Sequence, residues 1–402
     1  MVRLNATTWI TATTYGSVFT HISDDQNLIR VYLDNEATEK LCSDCFDFII
    51  EQVKKKQVDV SGFSQFQKLF CNEKNRCDHF ASQNNWELFS LHPMQFSVQT
   101  LNYCNARCDF CYANAPNVAD RKLMDFSLLC NLKDYAADQG IKFGVSGGEP
   151  LLHPDIYEIL SYRNDEVFDT LITNLTAPVD VDKLMKTKVD LIQVSLHGFD
   201  IFHDQTLNIK GAYRKIFKRI RMLFPSIHMA TNTVITPQNI ESIPRLVQDF
   251  QDVQQHVDRS FSYVRFVPVV PSGTGLATYQ VEETFFDEAE ELLRSLQKEY
   301  SDLNFEIPLI HANLYEYKKM GNRWMCPAGS TVAVVRLDGH LVPCNQFLDT
   351  AITSMQKITE SSFERIWWYD PLFSSLRKGV AATNNQRCDE CMYLMMKDQH
   401  KL

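Results

Sequence analysis

The chain lacks the long apolar segments that mark membrane and secreted proteins. No run of about 18 apolar residues occurs, and residues 1–5 do not open a charged-then-apolar signal peptide. Internal repeats and low-complexity tracts are also missing. Neither a membrane span nor secretion is therefore expected, and the sequence predicts a cytoplasmic protein.

An excess of positive charge is missing as well. The 40 Lys and Arg residues are outnumbered by 50 Asp and Glu residues, which gives a net charge of −10. Nucleic-acid binders gain most of their affinity by neutralising phosphates, so a general nucleic-acid partner is not expected. A local basic groove is still compatible with this composition.

Apolar residues and cysteines, by contrast, are plentiful. With 402 residues, of which 45% are hydrophobic, the chain can bury a sizeable core, and about two or three domains are expected. Twelve cysteines stand in a sequence without signs of secretion. Because the reducing cytosol keeps thiols free, these cysteines favour metal binding over disulfides.

Three cysteines form the most informative pattern. Cys104, Cys108 and Cys111 follow a strand-like run and have the spacing C-x3-C-x2-C. Thiolates are the usual ligands of iron–sulfur clusters, and a cluster that only carries electrons normally takes four of them. Three thiolates would leave one iron open for a substrate or cofactor. The alternatives are a zinc knuckle, although zinc usually takes four ligands, and three unrelated buried thiols.

This triad, with the aromatic Tyr112 after it, resembles the signature of the radical S-adenosylmethionine (SAM) enzymes. The resemblance implies a [4Fe–4S] cluster on the three catalytic cysteines, SAM on the open iron, and Tyr112 beside the cofactor. In this family the reduced cluster cleaves SAM to methionine and a 5′-deoxyadenosyl radical, which removes a hydrogen atom from an unactivated carbon. An electron donor such as flavodoxin or ferredoxin is then an expected partner.

Strand-like runs alternate with amphipathic helical stretches after residue 95. Six runs fit strands, at residues 95–102, 142–146, 169–173, 191–196, 227–235 and 263–270. Such alternation predicts an α/β fold with a parallel sheet. The resemblance implies a partial six-stranded (β/α) barrel, and the reactive sites of β/α barrels lie at the carboxyl ends of the strands.

Polar residues at the ends of these runs are the candidate cofactor contacts. Gly147, Gly148 and Glu149 follow the second run, where glycines let the backbone approach a ligand and a carboxylate can receive an amine. In the resembled family this segment binds the methionyl amine of SAM. Asn174 and Ser195 lie at the ends of the third and fourth runs, where the family has ribose and carboxylate contacts. Asn and Ser at such boundaries also form caps and turns, which is the alternative.

Two departures from the family pattern come after the fourth run. His197 replaces an aspartate and is either a titratable group near the substrate or a structural histidine. The segment from His203 to Gly211 resembles the family's H-D-x-x-R-G-x-x-G, but Leu207 stands in place of the arginine. A carboxylate clamp is therefore absent or is supplied by a neighbour such as Lys210.

A second cysteine set lies near the C-terminus, at Cys326, Cys344, Cys388 and Cys391. Four cysteines can close a cluster, which suits electron transfer or structural support. The spacing resembles the twitch domain, the shortened form of the SPASM extension of radical SAM enzymes. No cysteine follows Cys391, so one auxiliary Fe–S cluster of the [4Fe–4S] type is expected, with a zinc ribbon as the alternative. Asn345 stands where sulfatase-maturing relatives have an acidic base, so sulfatase maturation is not expected.

The first ninety residues carry weaker signals. A strand-like run at 28–33 leads into a helical stretch that is capped by Asp34 and runs through Ile49, and a second helical stretch covers 63–70. The pattern looks like the winged-helix element that captures leader peptides by adding a strand to an exposed sheet edge.

Four further cysteines lie in this N-terminal part. Cys42 and Cys45 are three apart and would share a helix face. Together with Cys71 and Cys77 they could bind zinc or a further cluster, or all four could be buried packing residues. Cys130 is expected in the core.

These signals predict an N-terminal domain (1–90), a radical SAM barrel (91–315) and a twitch/SPASM-like domain (316–402). The resemblance implies radical modification of a ribosomally made precursor peptide with a leader, by a crosslink, a thioether or an epimerisation. One alternative is dehydrogenation of a small alcohol such as an aminocyclitol. The other is a non-catalytic iron–sulfur sensor or adaptor.

Overall fold

A computed structural model describes residues 2–4, 8–13, 16–22, 28–43, 46–84, 89–257, 259–270, 272–276, 281, 283–307 and 328–383. The strands are β1 (Val2–Arg3), β2 (Thr8–Thr13), β3 (Gly16–Ile22), β4 (Leu28–Leu33), β5 (Gln95–Gln99), β6 (Lys142–Ser146), β7 (Asp169–Thr173), β8 (Leu191–Ser195), β9 (His228–Ile235), β10 (Val264–Pro268), β11 (Phe305–Glu306), β12 (Val332–Val335) and β13 (Leu341–Val342). The helices are α1 (Asn35–Leu41), α2 (Phe46–Lys54), α3 (Phe63–Asn84), α4 (Phe126–Gln139), α5 (Ile156–Ser161), α6 (Val181–Lys186), α7 (Ile201–Leu207), α8 (Ala212–Leu223), α9 (Ile243–Gln255), α10 (Glu283–Glu299), α11 (Phe363–Tyr369) and α12 (Pro371–Thr383). None of the described helices is long and apolar enough to cross a membrane.

The N-terminal part folds as an antiparallel sheet with three helices. Its strands lie in the order β1-β2-β3-β4. Helix α1 begins after Asp34, whose carboxylate accepts a hydrogen bond from Ala37 N at 2.8 Å. Apolar residues of the sheet and the helices, among them Ile10, Phe19 and Phe70, form a core of their own. This part is therefore a small α+β unit, called the N-terminal unit below.

The helices of the N-terminal unit differ from the prediction in length. The stretch expected to run from Asp34 through Ile49 is divided into α1 and α2, and α1 ends at a turn that begins with Cys42. Helix α3 extends to Asn84, well beyond its predicted end. Its buried side chains continue at helical spacing as far as Cys77 and beyond, but charged residues between them conceal this pattern in the sequence.

The cysteines of the N-terminal unit also differ from the prediction. Cys42 and Cys71 form a disulfide with a Cα–Cα distance of 5.6 Å, because α1 ends beside α3. Cys77 is buried and its thiol donates to the Phe89 carbonyl at 3.5 Å, while Cys45 lies outside the described residues. A shared metal site is therefore wrong for the three described cysteines, and so is the expected absence of disulfides.

Strands β5 to β10 form a parallel sheet in their chain order. Each of them is followed by a helix, and right-handed crossovers between neighbouring strands place all these helices on one face. The observed strands fall within the six predicted runs, which confirms the α/β fold with six consecutive parallel strands. The sheet continues to β11 beyond β10, and to β12 and β13 beyond β5.

The two faces of this sheet differ in polarity. Residues such as Phe96, Phe143 and Ile192 pack beneath the helices in the main core. The opposite, inner face carries polar side chains, namely Ser97, Gln99, Gln193, Ser195, Asn232 and Arg265. A parallel sheet covered on both faces is normally apolar on both. The inner face is therefore suited to a polar ligand.

The C-terminal part contacts the barrel and the segment before it. Strand β12 pairs with β5, so it extends the barrel sheet. On α11, Trp367 Nε1 donates to the Ser90 carbonyl at 2.9 Å and Trp368 Nε1 donates to the Leu91 carbonyl at 2.7 Å. These bonds hold the segment that leads from the N-terminal unit into the barrel.

Candidate active site

The cysteine triad lies on the loop that leaves the carboxyl end of β5. Cys104 and Cys108 pack against an apolar cluster of Ala106, Leu207 and Ala212, and all three thiols are partly buried. Burial raises the pKa of Cys104 to about 12, and it also raises the pKa of Cys108 and of Cys111. The Cys111 thiol adds to the rise of the pKa at both other cysteines, so the three groups lie close together. Metal binding would displace the protons that these thiols otherwise keep at neutral pH.

The surroundings of the thiols fit an iron–sulfur cluster. The Cys104 sulfur accepts hydrogen bonds from Ala106 N at 3.3 Å and from Asn174 Nδ2 at 3.4 Å. Backbone N–H groups of residues 113–115 donate to Cys111 and offset part of the rise of its pKa. Such N–H···S bonds stabilise cluster thiolates. The described residues place no three His, Cys, Asp or Glu side chains around a single ion, and thiolates on separate irons are spaced more widely than that.

The two glycines after β6 are required by the triad loop. Gly148 N donates to the Leu101 carbonyl at 2.9 Å, and Glu149 N donates to the Tyr103 carbonyl at 3.0 Å. A Cβ on Gly148 would lie 1.9 Å from the Tyr103 oxygen, and a Cβ on Gly147, whose φ is 142°, would lie 2.5 Å from the Leu101 oxygen. Neither position accommodates a side chain. The backbone of the two glycines therefore lies closely against the triad loop, and its approach to a ligand stays a prediction.

The Glu149 carboxylate is fully buried and bound by protein groups. One oxygen accepts hydrogen bonds from Thr173 Oγ1 at 2.5 Å and Leu151 N at 3.1 Å, and the other accepts from Asn174 N at 2.7 Å. Burial raises the pKa of this carboxyl to about 7. Three protein donors thus hold this carboxylate between the ends of β6 and β7, and its contact with an amine of SAM stays a prediction.

Asn174 forms a hydrogen-bonded group with Asn105 and Thr176. Its Oδ1 accepts from Thr176 N at 2.8 Å and from the Thr176 hydroxyl at 2.6 Å, which closes a turn. Its Nδ2 donates to Cys104 Sγ at 3.4 Å and to Asn105 Oδ1 at 3.2 Å. Asn174 therefore has the turn role common at strand ends and also contacts a cysteine of the triad.

Ser195 and Asn232 are neighbours on the inner face of the sheet. They are paired in register across β8 and β9. Both are partly exposed, and neither side chain has a hydrogen-bond partner among the described residues. Uncommitted polar groups at the strand ends suit a polar cofactor or substrate. Sequence analysis missed Asn232, whose signal is an amide within a run of strand-favouring residues.

Tyr112 packs against an apolar cluster that includes Val334 and Phe347, at the β12–β13 edge of the sheet. Cys104 and Cys111 contact the same cluster, and a place for Tyr112 beside the cofactor stays a prediction. Phe110, the aromatic residue before the third cysteine, contacts His197 edge to face with ring centroids 4.9 Å apart. Because His197 follows β8, Phe110 is the aromatic residue of the triad loop that reaches the middle of the strand ends. Sequence analysis missed it, although it lies inside the triad.

His197 and His203 are buried, neutral side chains. Val234 N donates to His197 Nδ1 at 3.2 Å, and His197 N donates to His203 Nδ1 at 3.0 Å. These backbone donors require an unprotonated Nδ1 on both rings. Burial lowers the pKa of each histidine to about 3. His197 therefore has a structural role near neutral pH.

Leu207 covers the triad loop with an apolar side chain. It belongs to the apolar cluster that Cys104 and Cys108 contact, and its carbonyl accepts a hydrogen bond from Arg107 N at 2.9 Å. An arginine at this position would have to bury its charge in that apolar contact. The expected substitute, Lys210, is exposed. Leu207 therefore covers the triad loop at the position where the family pattern has an arginine.

A short segment after β10, residues 272–276, crosses to the triad loop, and we call it the strap. Thr274 N donates to the Cys111 carbonyl at 3.0 Å, and the Thr274 hydroxyl lies 3.2 Å from the Cys108 carbonyl. Gly273 packs so closely that a Cβ would lie 2.0 Å from the Cys111 oxygen. Because β10 and β5 are the outer strands of the six, the strap connects the two sides of the barrel mouth.

The second cysteine set is described at one position, Cys344. The other members lie outside the described residues, and they are Cys326, Cys388 and Cys391. Cys344 precedes a single helical turn, Asn345–Phe347, in which Gln346 accepts a hydrogen bond from Ser272 of the strap. Cys344 and Tyr112 contact the same apolar cluster. The triad loop and the Cys344 loop are therefore neighbours.

Two domain families match the chain. The radical SAM superfamily matches residues 98–250, and the SPASM iron–sulfur cluster-binding domain matches residues 326–392. The chain is a radical SAM enzyme. Its cofactors are [4Fe–4S] clusters and SAM. A non-catalytic iron–sulfur adaptor is therefore not the right interpretation.

This radical SAM enzyme is similar to several named proteins. It is 24% identical over 300 residues to the PqqA peptide cyclase of Gluconobacter oxydans, and the matched region covers 71% of this chain and 79% of the relative. It is 21% identical over 270 residues to the sporulation killing factor maturation protein SkfB of Bacillus subtilis, or 64% of this chain and 61% of SkfB. The fold is similar to that of Streptococcus suis SuiB bound to its precursor peptide SuiA, with a TM-score of 0.69, 17% identity, and coverage of 94% of this chain and 90% of SuiB.

Proposed function

We propose that this radical SAM enzyme modifies a ribosomally made precursor peptide, by a crosslink, a thioether or an epimerisation. The observation that carries the proposal is the fold match to SuiB, which covers 94% of the chain and therefore includes the N-terminal unit. SuiB was solved with its precursor peptide, and the two relatives by sequence are named as a peptide cyclase and a maturation protein. Oxidation of a small alcohol would leave the N-terminal unit without a role.

Cys104, Cys108 and Cys111 are the residues that would hold the SAM-binding cluster. When bound, the cluster and SAM supply the 5′-deoxyadenosyl radical that removes a hydrogen atom from the substrate. Ser195 and Asn232 offer an uncommitted hydroxyl and amide on the inner face, where they can receive the ribose or carboxylate of SAM. Gly147, Gly148 and Glu149 position the triad loop against the ends of β6 and β7, and they stay the proposed contacts of the methionyl amine of SAM.

Apolar residues shield the triad from water. Leu207 belongs to the apolar cluster that Cys104 and Cys108 contact, and Phe110 packs against the cluster of Val269 and Phe286 beside the strap. A carbon-centred radical reacts with any hydrogen donor that reaches it, so a covered site protects the reaction from side products. The strap completes this cover across the barrel mouth.

The four C-terminal cysteines are proposed to bind one auxiliary cluster. The SPASM match spans all of them, from residue 326 to residue 392. Cys344, the described member, shares an apolar cluster with Cys104 and Cys111. The two clusters would therefore be neighbours, as electron exchange between them requires. A protein such as flavodoxin or ferredoxin is the proposed source of the first electron.

The N-terminal unit is proposed to bind the leader of the precursor. Among the described strands, β4 pairs with β3 alone, so its other edge presents backbone groups to a partner. A leader peptide could add a strand there, with main-chain hydrogen bonds supplying the affinity.

The reaction is tested by co-expressing the enzyme with a short peptide encoded beside its gene. A crosslink or thioether would lower the peptide mass by two hydrogens, and an epimerisation in D2O would introduce one carbon-bound deuterium. Cys104→Ala is the inactive control. An unmodified peptide together with continued release of 5′-deoxyadenosine would contradict the peptide substrate and leave radical chemistry in place.

Leader binding along β4 is tested by two successive proline substitutions, Arg30→Pro and Val31→Pro. In an antiparallel edge strand the N–H groups point alternately toward the neighbour strand and away from it. Proline at the outward position removes a hydrogen bond to the leader but none within the sheet, so binding should weaken roughly fivefold while stability is kept. Unchanged leader binding by both variants would contradict strand addition.

A further inference from the structure

Asn174 is the one side chain of the described structure whose N–H donates to a sulfur of the triad. Its Nδ2 lies 3.4 Å from Cys104 Sγ, and Asn174 is 92% buried, with 8% of its surface exposed. The other N–H donors to the triad in this part of the chain are backbone groups, such as Ala106 N at 3.3 Å from the same sulfur. A side-chain donor can be replaced by mutation without removing a peptide bond.

The orientation of the Asn174 amide is determined by its partners. Its Oδ1 accepts two hydrogen bonds from Thr176, at 2.8 Å from the backbone N and at 2.6 Å from the hydroxyl. One N–H of Nδ2 is used by Asn105 Oδ1 at 3.2 Å, which leaves the other for Cys104. A flipped amide would place oxygen against sulfur and lose all these bonds.

The backbone around Asn174 is held from several sides. Asn174 N donates to the buried Glu149 carboxylate at 2.7 Å. From α8, Lys215 Nζ donates to the Thr176 carbonyl at 2.6 Å, and Arg219 Nη1 donates to the Leu175 carbonyl at 2.6 Å. These contacts fix the direction in which the Asn174 amide points toward Cys104.

We propose that Asn174 is a positioning residue that raises the reduction potential of the SAM-binding cluster through its hydrogen bond to Cys104. Reduction adds negative charge to a cluster and its sulfurs, and an N–H donor stabilises that added charge. Cleavage of SAM requires the reduced cluster, so this bond makes the reactive state easier for an electron donor to reach. The inference rests on the proposed assignment of Cys104 as a cluster ligand.

The test is a potentiometric titration of the reconstituted holoenzyme, followed by the electron paramagnetic resonance signal that a Cys104/Cys108/Cys111→Ala variant lacks. Asn174→Ala should shift the midpoint potential of this signal to a more negative value. Asn174→Asp should shift it farther, because it keeps the shape but replaces the donor with a charged acceptor. Thr176→Val is the matched control, since it removes the hydroxyl of the same group and leaves the Asn174 N–H donor.

An unchanged potential in both Asn174 variants would overturn the inference, and so would an equal shift in Thr176→Val. If Asn174→Ala binds fewer irons than the wild type, the midpoint potential of the isosteric Asn174→Asp variant is used to judge the inference. The iron content of Cys104→Ala distinguishes failure of the inference about Asn174 from failure of the assignment of Cys104 as a cluster ligand. Full iron in that variant would overturn the ligand assignment and the inference with it, whereas lost iron combined with unchanged potentials would overturn the inference alone.

Discussion

Buried polar residues join neighbouring elements of this barrel at both ends of the sheet. At the carboxyl ends, Glu149 accepts hydrogen bonds from Thr173 and Asn174. At the opposite ends, Lys133 of α4 donates to Asp169 of β7 at 2.5 Å, with both side chains almost fully buried. Buried polar groups are costly unless they are paired, so each set constrains the elements that carry it.

Glu149→Gln should make stability less dependent on pH. Burial raises the pKa of Glu149 from its ordinary value of 4.5 to about 7 in the folded protein. The folded state therefore holds this proton more tightly, and the wild type loses stability as pH rises between those values, by roughly 3 kcal/mol in all. Glutamine has no proton to lose. Anaerobic urea unfolding at about pH 5 and pH 7 measures this, and a constant difference between the two proteins would contradict it.

Lys133→Met should destabilise the protein by about 3–5 kcal/mol, because it leaves the Asp169 charge buried without its partner. The double change Lys133→Met/Asp169→Leu should restore most of this loss, since Asp169 is then no longer a buried charge without its partner. Urea unfolding of the single and double variants measures both effects. Equal destabilisation of the two would show that packing, and not the ion pair, sets the result. SAM cleavage per folded molecule should be unchanged, as Asp169 begins β7 at the end away from the triad.

At the scale of elements, the strap and the segment after β6 position the triad loop. Each contacts the backbone of this loop through a glycine, Gly273 in the strap and Gly148 after β6. Neither contact depends on side chains of the loop, so the loop can be held in place before a cluster binds. The strap also reaches Gln346 beside Cys344, so one element contacts both cysteine loops.

Gly273→Ala should reduce binding of the triad cluster, by about four irons per chain. Gly211→Ala is the matched control. Both glycines have positive φ, 54° for Gly273 and 77° for Gly211, but an added Cβ meets the Cys111 oxygen at 2.0 Å in the first case and nothing within 4 Å in the second. Both substitutions therefore strain the backbone, but only Gly273→Ala adds a steric clash. Iron and sulfide per chain after anaerobic reconstitution measure the effect, and full iron in Gly273→Ala would contradict the role of the strap.

At the scale of the whole molecule, the N-terminal unit contacts the C-terminal part directly. Phe80 on α3 packs against Trp368 and Tyr369 of α11, with ring centroids 5.8 Å and 5.7 Å apart. Arg76 on the same helix stacks over the Trp368 ring at 4.9 Å. A peptide held by the N-terminal unit would therefore be connected to the part that carries Cys344 through packed side chains as well as through the chain.

Phe80→Ala should weaken this contact by about 1–3 kcal/mol, the sum of a few aromatic pairs. Amide hydrogen exchange should then become faster in α3 and α11, with little change in the barrel strands. Phe48→Ala is the control, since Phe48 lies in the same unit but is 66% exposed. Faster exchange throughout the barrel in Phe80→Ala would show general destabilisation and contradict a local contact.

Local sequence determined the α/β class, the order of the six barrel strands and the place of the triad on the loop after β5. These features depend on neighbouring residues, because alternation of apolar residues specifies a strand and cysteine spacing specifies a ligand set. The same reasoning placed Asn174 and Ser195 at strand ends, where the structure also has them, while their contact with the cofactor stays a prediction.

Only the tertiary structure decided which groups these residues meet. The Glu149 carboxylate accepts hydrogen bonds from Thr173 and Asn174, Tyr112 packs at the β12–β13 edge, and Cys42 is joined to Cys71 by a disulfide. Each of these contacts joins segments that are far apart in the chain. Local pattern carries no information about such partners, because burial and pairing depend on how the elements pack against one another.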